Sequence, residues 1–188
     1  MNDVGMRKLG ICGIVAATMV LAVGCGSSEN SADDAGATQS SAASSATGGE
    51  CRPMVPFSEG GRASEGQSAA AQQVAESVSL PAGVTIVTGR LSTDSDHPDE
   101  FAVAIDLCGG AISTADELKK VATKFAKAYK AAPVGDRIFA LYVAHYASYT
   151  TTGTTGGVKI KDPDFQLHLW NGKPSEQAEL DNWEVVGQ

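Results

Sequence analysis

Residues 101–107 read Phe-Ala-Val-Ala-Ile-Asp-Leu, and residues 114–130 read Thr-Ala-Asp-Glu-Leu-Lys-Lys-Val-Ala-Thr-Lys-Phe-Ala-Lys-Ala-Tyr-Lys. The first stretch alternates large apolar residues with small or polar ones, which predicts a β-strand with two different faces. The second repeats apolar residues at helical spacing, and Thr114 with Glu117 forms the sequence pattern of a capping box. A strand followed by an amphipathic helix therefore sets the fold class as a mixture of both elements.

Further helix and strand patterns flank this pair on both sides. Ser64 with Gln67 predicts the capped start of an earlier helix, which ends before Pro81. The other strands are predicted at three places, residues 84–91, 137–149 and 165–170. A polar loop at residues 92–100 would join the first hairpin. The order α-β-β-α-β-β predicts a two-layer α+β fold, an antiparallel sheet of about four strands with both helices on one face.

A short apolar run near the N-terminus precedes a cysteine. Arg7 and Lys8 come first, residues 9–24 are apolar or small, and polar residues follow Cys25 at once. The run is shorter than the about 20 residues that a membrane-spanning helix needs. This order of basic, apolar and small residues before a cysteine resembles the lipobox of a bacterial lipoprotein signal peptide.

The resemblance implies how the N-terminus is processed. Residues 1–24 would be the signal peptide that type II signal peptidase removes, and the Cys25 thiol would receive a diacylglycerol. We therefore expect a protein on the extracytoplasmic face of the cell membrane, with the membrane as its partner through the lipid on Cys25.

Two regions follow the lipid site. Residues 25–49 are rich in Ser, Ala and Gly with no large apolar side chain, which predicts a disordered tether reaching roughly 25–30 Å. Residues 50–188 are predicted to form a single α+β domain. Cys51 and Cys108 remain there as two thiols in an oxidising compartment, which favours one structural disulfide over free thiols or a redox couple.

Composition and motifs exclude several function classes. The formal net charge of −8 argues against nucleic-acid binding, which uses a basic surface. The three histidines, His97, His145 and His168, match no zinc-ligand spacing, and the chain has no G-x-S-x-G nucleophile motif. We therefore predict no catalytic residues, no metal site and no enzyme activity.

One acidic loop is a weak candidate for Ca²⁺. It carries four carboxylates at Asp94, Asp96, Asp99 and Glu100. Clustered carboxylate oxygens suit Ca²⁺, but the loop lacks the full EF-hand pattern. A solvated hairpin turn is the alternative.

The predicted sheet offers a candidate binding face. If strands 137–149 and 165–170 pair, four residues with polar-tipped rings share the face away from the helices: Tyr142, Tyr146, His168 and Trp170. Such rings can stack on sugars or hold a partner protein. The alternative is that the disulfide draws the proline-rich segment after Cys51 across this face and covers it.

These observations predict a non-catalytic binding or accessory module of the cell envelope, whose partner is an envelope protein or a glycan. The alternative is an immunity or superinfection-exclusion lipoprotein of a phage or plasmid, and an enzyme is the weakest hypothesis. The helix at residues 114–130 adds five lysines. They would form either a basic face for anionic lipid headgroups or wall polymers, or an ordinary solvated face.

Overall fold

The computed structural model describes residues 49–187, which form an α+β fold with a mixed five-stranded sheet, a small two-stranded sheet and three α-helices. The strands are β1 Val84–Asp94, β2 His97–Gly109, β3 Ile138–Tyr146, β4 Ser148–Tyr149, β5 Thr154–Thr155, β6 Val158–Asp162 and β7 Glu184–Val185. The helices are α1 Glu65–Glu76, α2 Ala115–Lys130 and α3 Glu176–Asp181. The predicted signal peptide, Cys25 and the tether up to residue 48 lie outside the described residues.

The main sheet has the order β1-β2-β3-β6-β7. β2 and β3 are parallel, whereas the other three pairs are antiparallel, so the prediction of a purely antiparallel sheet of four strands is wrong. The reason is the connection through α2, which returns the chain to the end of the sheet where β2 began. Strand β3 must then run in the same direction as β2.

Both predicted helix starts are confirmed. Ser64 and Gln67 form a complete capping box on α1, and Thr114 and Glu117 form one on α2. The two helices pack on one sheet face, where their apolar stripes meet the large side chains of β1, β2, β3 and β6. The third helix, α3, packs against α2, and the indole Nε1 of Trp183 just after it donates to Thr123 Oγ1 at 3.0 Å.

The predicted strand at residues 165–170 is wrong. Those residues form turns and irregular backbone, and the strand that pairs with β3 is β6. Phe165 is buried, but Leu167 and Leu169 are 78% and 67% exposed, so the apolar alternation that suggested a strand does not face a core. The predicted loop at residues 92–100 is also shorter than expected, because β1 and β2 continue to a turn at residues 95–96.

Cys51 and Cys108 form a disulfide. The leading segment, residues 50–62, then follows the outer edge of β1: Val55 N donates to Val87 O at 2.9 Å, and Arg62 N donates to Leu91 O at 3.0 Å. This course satisfies backbone groups that the edge strand would otherwise expose. The segment thus covers part of the second sheet face near Asp106, whereas the part around Ala102 and Phe139 borders a cavity that no residue of the segment lines.

Candidate binding face

The sheet face opposite the helices has a floor of small side chains. We call it the open face, and its floor consists of Ala102 and Ala104 on β2 and Ala140 and Ala144 on β3. Parallel pairing places Ala102 beside Ala140 and Asp106 beside Ala144. Small residues keep this floor low, so that longer side chains from neighbouring positions stand up around it.

A row of aromatic rings rises from β3 along this floor. Tyr142 and Tyr146 are both half-buried and occupy the predicted face. Phe139 joins them because a bulge opposite Phe101 and Ala102 inserts one extra residue into β3. The bulge turns the Phe139 ring towards Ala102 and Tyr142, with which it lines one cavity.

Two further rings extend this row at its ends. His97 stacks on Phe139 with a centroid distance of 4.2 Å. At the other end Tyr149 meets Tyr146 edge to face at 5.3 Å, and the Arg52 guanidinium lies 4.7 Å from the Tyr149 ring centroid. The rings are thus held by neighbours rather than free to rotate, which lowers the entropy cost of stacking a ligand on them.

Cations border the aromatic row on both sides. Arg90 on β1 pairs across the floor with Ala104, and on β6 Lys159 is opposite Ala144 and Lys161 opposite Tyr142. Lys161 also forms an ion pair with Glu184 at 3.1 Å. Arg90 is paired with Asp106, whereas Lys159 has no carboxylate within ion-pair distance among the described residues.

Asp106 is a carboxylate that lies among these cations. Its side chain is 8% exposed and lies 3.6 Å from Arg90. Burial raises the pKa of Asp106 above its ordinary value, and the nearby charges of Arg90, Lys159 and Arg52 oppose that rise. Burial and the neighbouring Asp106 carboxylate also raise the pKa of the Tyr146 hydroxyl.

Arg90 separates two cavities on the open face. The first, of about 250 Å³, is lined by Arg90, Ala102, Ala104, Phe139 and Tyr142 among others. The second, of about 260 Å³, lies between the leading segment and the sheet and includes Arg52, Asp106 and Tyr149. Because Arg90 borders both, a ligand lying along the face would contact its guanidinium near the middle.

The structure does not bring His168 and Trp170 onto the open face. Both lie in the loop after β6, around the fully buried Asp162. His168 Nδ1 is 2.9 Å from Asp162 Oδ1, and Trp170 Nε1 donates to Oδ2 at 3.1 Å. Trp170 is buried against Trp183, so its ring belongs to the core.

Asp162 therefore organises this loop. Burial raises the pKa of its carboxyl, and His168 and the donors of Asp164 and Trp170 oppose the rise. Trp170 adopts a left-handed φ of 50°, a conformation that is uncommon outside glycine, and the loop holds it there.

The other candidate residues are dispersed. Asp96 N donates to Asp94 Oδ1 in the β1–β2 turn, Glu100 pairs with His97 at 3.2 Å, and the backbone carbonyl of Asp99 accepts from Arg137. Within residues 49–187, no group of three or more His, Cys, Asp or Glu side chains is arranged to hold a metal ion. His145, which continues the core face of β3, is buried and donates through Nε2 to the Gly109 carbonyl at 2.6 Å.

The sequence patterns did not identify the charged residues of the open face, nor Phe139. Lys159 and Lys161 alternate with Val158 and Ile160, a strand signal that the preceding Gly-Thr stretch obscured. Phe139 alternates with Leu141 and Val143, a pattern that predicts a place on the core face, because the bulge that reverses its direction leaves no mark in the sequence.

Comparison of the chain with protein-family models, curated proteins and solved structures found no match. Among residues 49–187, no helix combines the length and the apolar character of a membrane span.

Proposed function

We propose that this protein is a lipid-anchored, extracytoplasmic binding module that takes an elongated anionic glycan of the cell envelope on its open face. The observation that supports it is the row of Phe139, Tyr142 and Tyr146 above an alanine floor, bordered on both sides by cations.

The ligand class follows from the chemistry of the face. Aromatic rings offer flat apolar surfaces to the faces of sugar rings, and tyrosine hydroxyls add hydrogen bonds at the edges. Tyr142 and Tyr146 are four residues apart on one strand, or about 13 Å, which favours an extended ligand over a compact one. Arg90, Lys159 and Lys161 would pair with carboxylate or phosphate groups along it.

The anchor follows from the N-terminal sequence. Cys25 stands in a lipobox-like context, and the Cys51–Cys108 disulfide suits an oxidising compartment outside the cytoplasm. A lipid at Cys25 would hold the open face within the cell envelope, where anionic polymers are concentrated.

Binding of the anionic polysaccharide fraction of the envelope tests the ligand. Each ring contributes about 1 kcal/mol when it stacks. Tyr142→Ala with Tyr146→Ala should therefore weaken binding at least tenfold in a titration, and Tyr142→Phe should keep most of it. Neutral dextran, as the control polymer, should bind much more weakly.

Leu167→Ala with Leu169→Ala is the matched control, since both side chains are exposed and neither lines a cavity of the open face. It should leave the titration unchanged. Equal affinity of the double tyrosine variant and the parent, with both proteins folded, would refute the binding role of the open face.

Cys25→Ala tests the anchor. We expect the variant either to leave the membrane fraction or to accumulate at the mass of the unprocessed precursor. An unchanged membrane fraction together with an unchanged mature mass would refute lipidation, and would leave the binding role of the open face standing.

A further inference from the structure

The solvent side of α2 carries lysines that lack acidic partners. Lys120 and Lys124 are one helical turn apart and both exposed, and neither has a carboxylate within ion-pair distance among the described residues. We call this pair the lysine ridge. Lys124 Nζ donates to the Ser79 carbonyl at 3.3 Å, which links the ridge to the loop before β1. Lys127, the next lysine along this side, is paired with Glu179 at 2.8 Å.

A mostly apolar cavity of about 440 Å³ lies beside the ridge. Its walls come from the loop before β1, the loop before α2 and the helix itself: Pro81, Ala82, Ala111, Ile112 and Val121, with Lys120, Lys124 and Glu117 at the edge. Glu117 is engaged as the helix cap, accepting from Ser113 N and Thr114 N at 2.8 and 3.0 Å. The surface thus combines apolar area with positive charge, the combination that a phospholipid layer requires.

This surface lies at the end of the sheet where the chain enters the fold. Val84 pairs with Gly109, and the cavity walls at residues 81–82 and 111–112 adjoin these two residues. The Cys51–Cys108 disulfide joins the leading segment to the same end. Gly109 adjoins both, since it pairs with Val84 and a Cβ atom on it would lie 3.3 Å from Cys51 Sγ.

We infer that the lysine ridge and its cavity dock on the anionic lipid surface of the membrane that holds Cys25. The inference rests on the proposed anchor. A flexible segment of 23 residues between Cys25 and Gly49 would keep the surface near the bilayer at an effective concentration in the millimolar range, so weak contacts suffice. Among the described residues the two ridge lysines have no carboxylate partner, whereas Arg90 and Lys161 on the open face are paired with Asp106 and Glu184, so the ridge is favoured for contact with anionic lipid.

Docking would also orient the open face. Helix α2 packs on one side of the sheet and the open face is the other. A membrane contact through α2 would therefore turn Tyr142 and Tyr146 away from the bilayer and towards the envelope polymers.

Lysine acetylation of the full acylated chain, reconstituted in vesicles, tests this inference. In vesicles of phosphatidylcholine with 30 mol% phosphatidylglycerol, the acetylation rates of Lys120 and Lys124 should fall at least about fivefold relative to pure phosphatidylcholine, the effect expected for a lysine held at an anionic surface. Lys159 and Lys161, on the opposite side of the sheet, are internal controls and should react at equal rates in both vesicles. Added salt should remove the difference, because it screens exposed charges.

Variants separate docking from other causes of protection. The double variant Lys120→Glu with Lys124→Glu should no longer dock. Its neighbouring Lys119 and Lys127 should then be acetylated at equal rates in both vesicle types. The double variant Lys159→Gln with Lys161→Gln should keep the protection of the ridge lysines. Lys120→Gln with Lys124→Gln, a milder change, repeats the first test, and thermal melting verifies that each variant folds. Equal rates for the ridge lysines in both vesicles, or protection of Lys159 and Lys161 instead, would overturn docking through the ridge. Failure of the proposed anchor would be recognised separately, as loss of the chain from both vesicle types.

Discussion

Asp106 shows how one residue can set the properties of a surface. Its neighbours in β2 are apolar, so from the sequence it reads as the polar member of a half-exposed strand face. In the fold it is buried beside Arg90 and within the field of Lys159 and Arg52. Ionised, it partly neutralises these cations and holds the Arg90 guanidinium over the floor of the open face.

The raised pKa of Asp106 predicts a pH-dependent contribution to stability. The folded state holds this proton more tightly than the unfolded state, whose carboxyl has the ordinary pKa of about 3.8. The stabilisation is therefore complete below that value and is lost as the pH rises through the folded-state pKa. Asp106→Asn removes the titrating carboxyl, so the variant lacks this pH dependence. The difference in the free energy of unfolding, variant minus parent, should therefore increase from pH 3.5 to pH 7.5.

Urea unfolding at several pH values measures that difference. Arg90→Gln is the matched variant, because removing the cation that lowers the pKa of Asp106 should raise this pKa further and move the pH-dependent loss of stability to higher pH. A difference between parent and Asp106→Asn that stays constant across the pH range would contradict the assignment.

Among the elements, helices α1 and α2 could be predicted, α3 was not, and the strand pairing could be predicted only in part. The caps of α1 and α2 are local signals, since each joins residues three apart. The pairing of β2 with β3 depends on the crossover through α2, which the rule for strand–helix–strand units predicts to be parallel but which the alternation within each strand does not reveal.

The loop after β6 departs from the strand predicted there for a different reason. Phe165, Leu167 and Leu169 alternate as a strand would, but the conformation is set by Asp162, which binds His168 and Trp170 from a separate element. A charged residue pointing into the core is an uncommon strand signal, so β6 itself was hard to recognise. Half of the predicted binding face was misplaced with this loop, whereas Tyr142 and Tyr146 lay on a strand whose face was correctly assigned.

The contact between the leading segment and β1 predicts a steric requirement. A 3-10 helix at Phe57–Glu59 places the fully buried Phe57 ring directly over Gly89. A Cβ atom at Gly89 would overlap that ring, so Gly89→Ala should lower the free energy of unfolding by about 1–3 kcal/mol.

Gly153→Ala is the control for the same chemical change. A Cβ atom there meets nothing within 4 Å, so the effect should stay within about 0.5 kcal/mol. Chemical denaturation of both variants provides the comparison. An equal effect at the two sites would show that Phe57 can move aside without cost.

For the molecule as a whole, the proposed anchor and the disulfide are mechanically connected. A chain held by lipid at Cys25 would pull on the fold at Gly49, just before the leading segment. Backbone hydrogen bonds, such as that from Arg52 N to Tyr149 O at 2.8 Å, could break one at a time under such a force. The disulfide instead transmits the force to Cys108 on β2, a strand that is hydrogen-bonded to β1 on one side and β3 on the other.

The disulfide should also contribute strongly to stability without load. It links residues 57 apart, and in the chain-entropy model closing a loop of that length stabilises the folded state by about 4 kcal/mol. Cys51→Ala with Cys108→Ala should lose most of this in urea unfolding, and the reduced parent should match the variant, because both lack the same covalent link. A loss below about 1 kcal/mol would mean that contacts of the leading segment already restrict the unfolded chain. The disulfide would then serve to hold the segment against tension rather than to stabilise the fold, and only unfolding under force applied at the N-terminus would separate the variant from the parent.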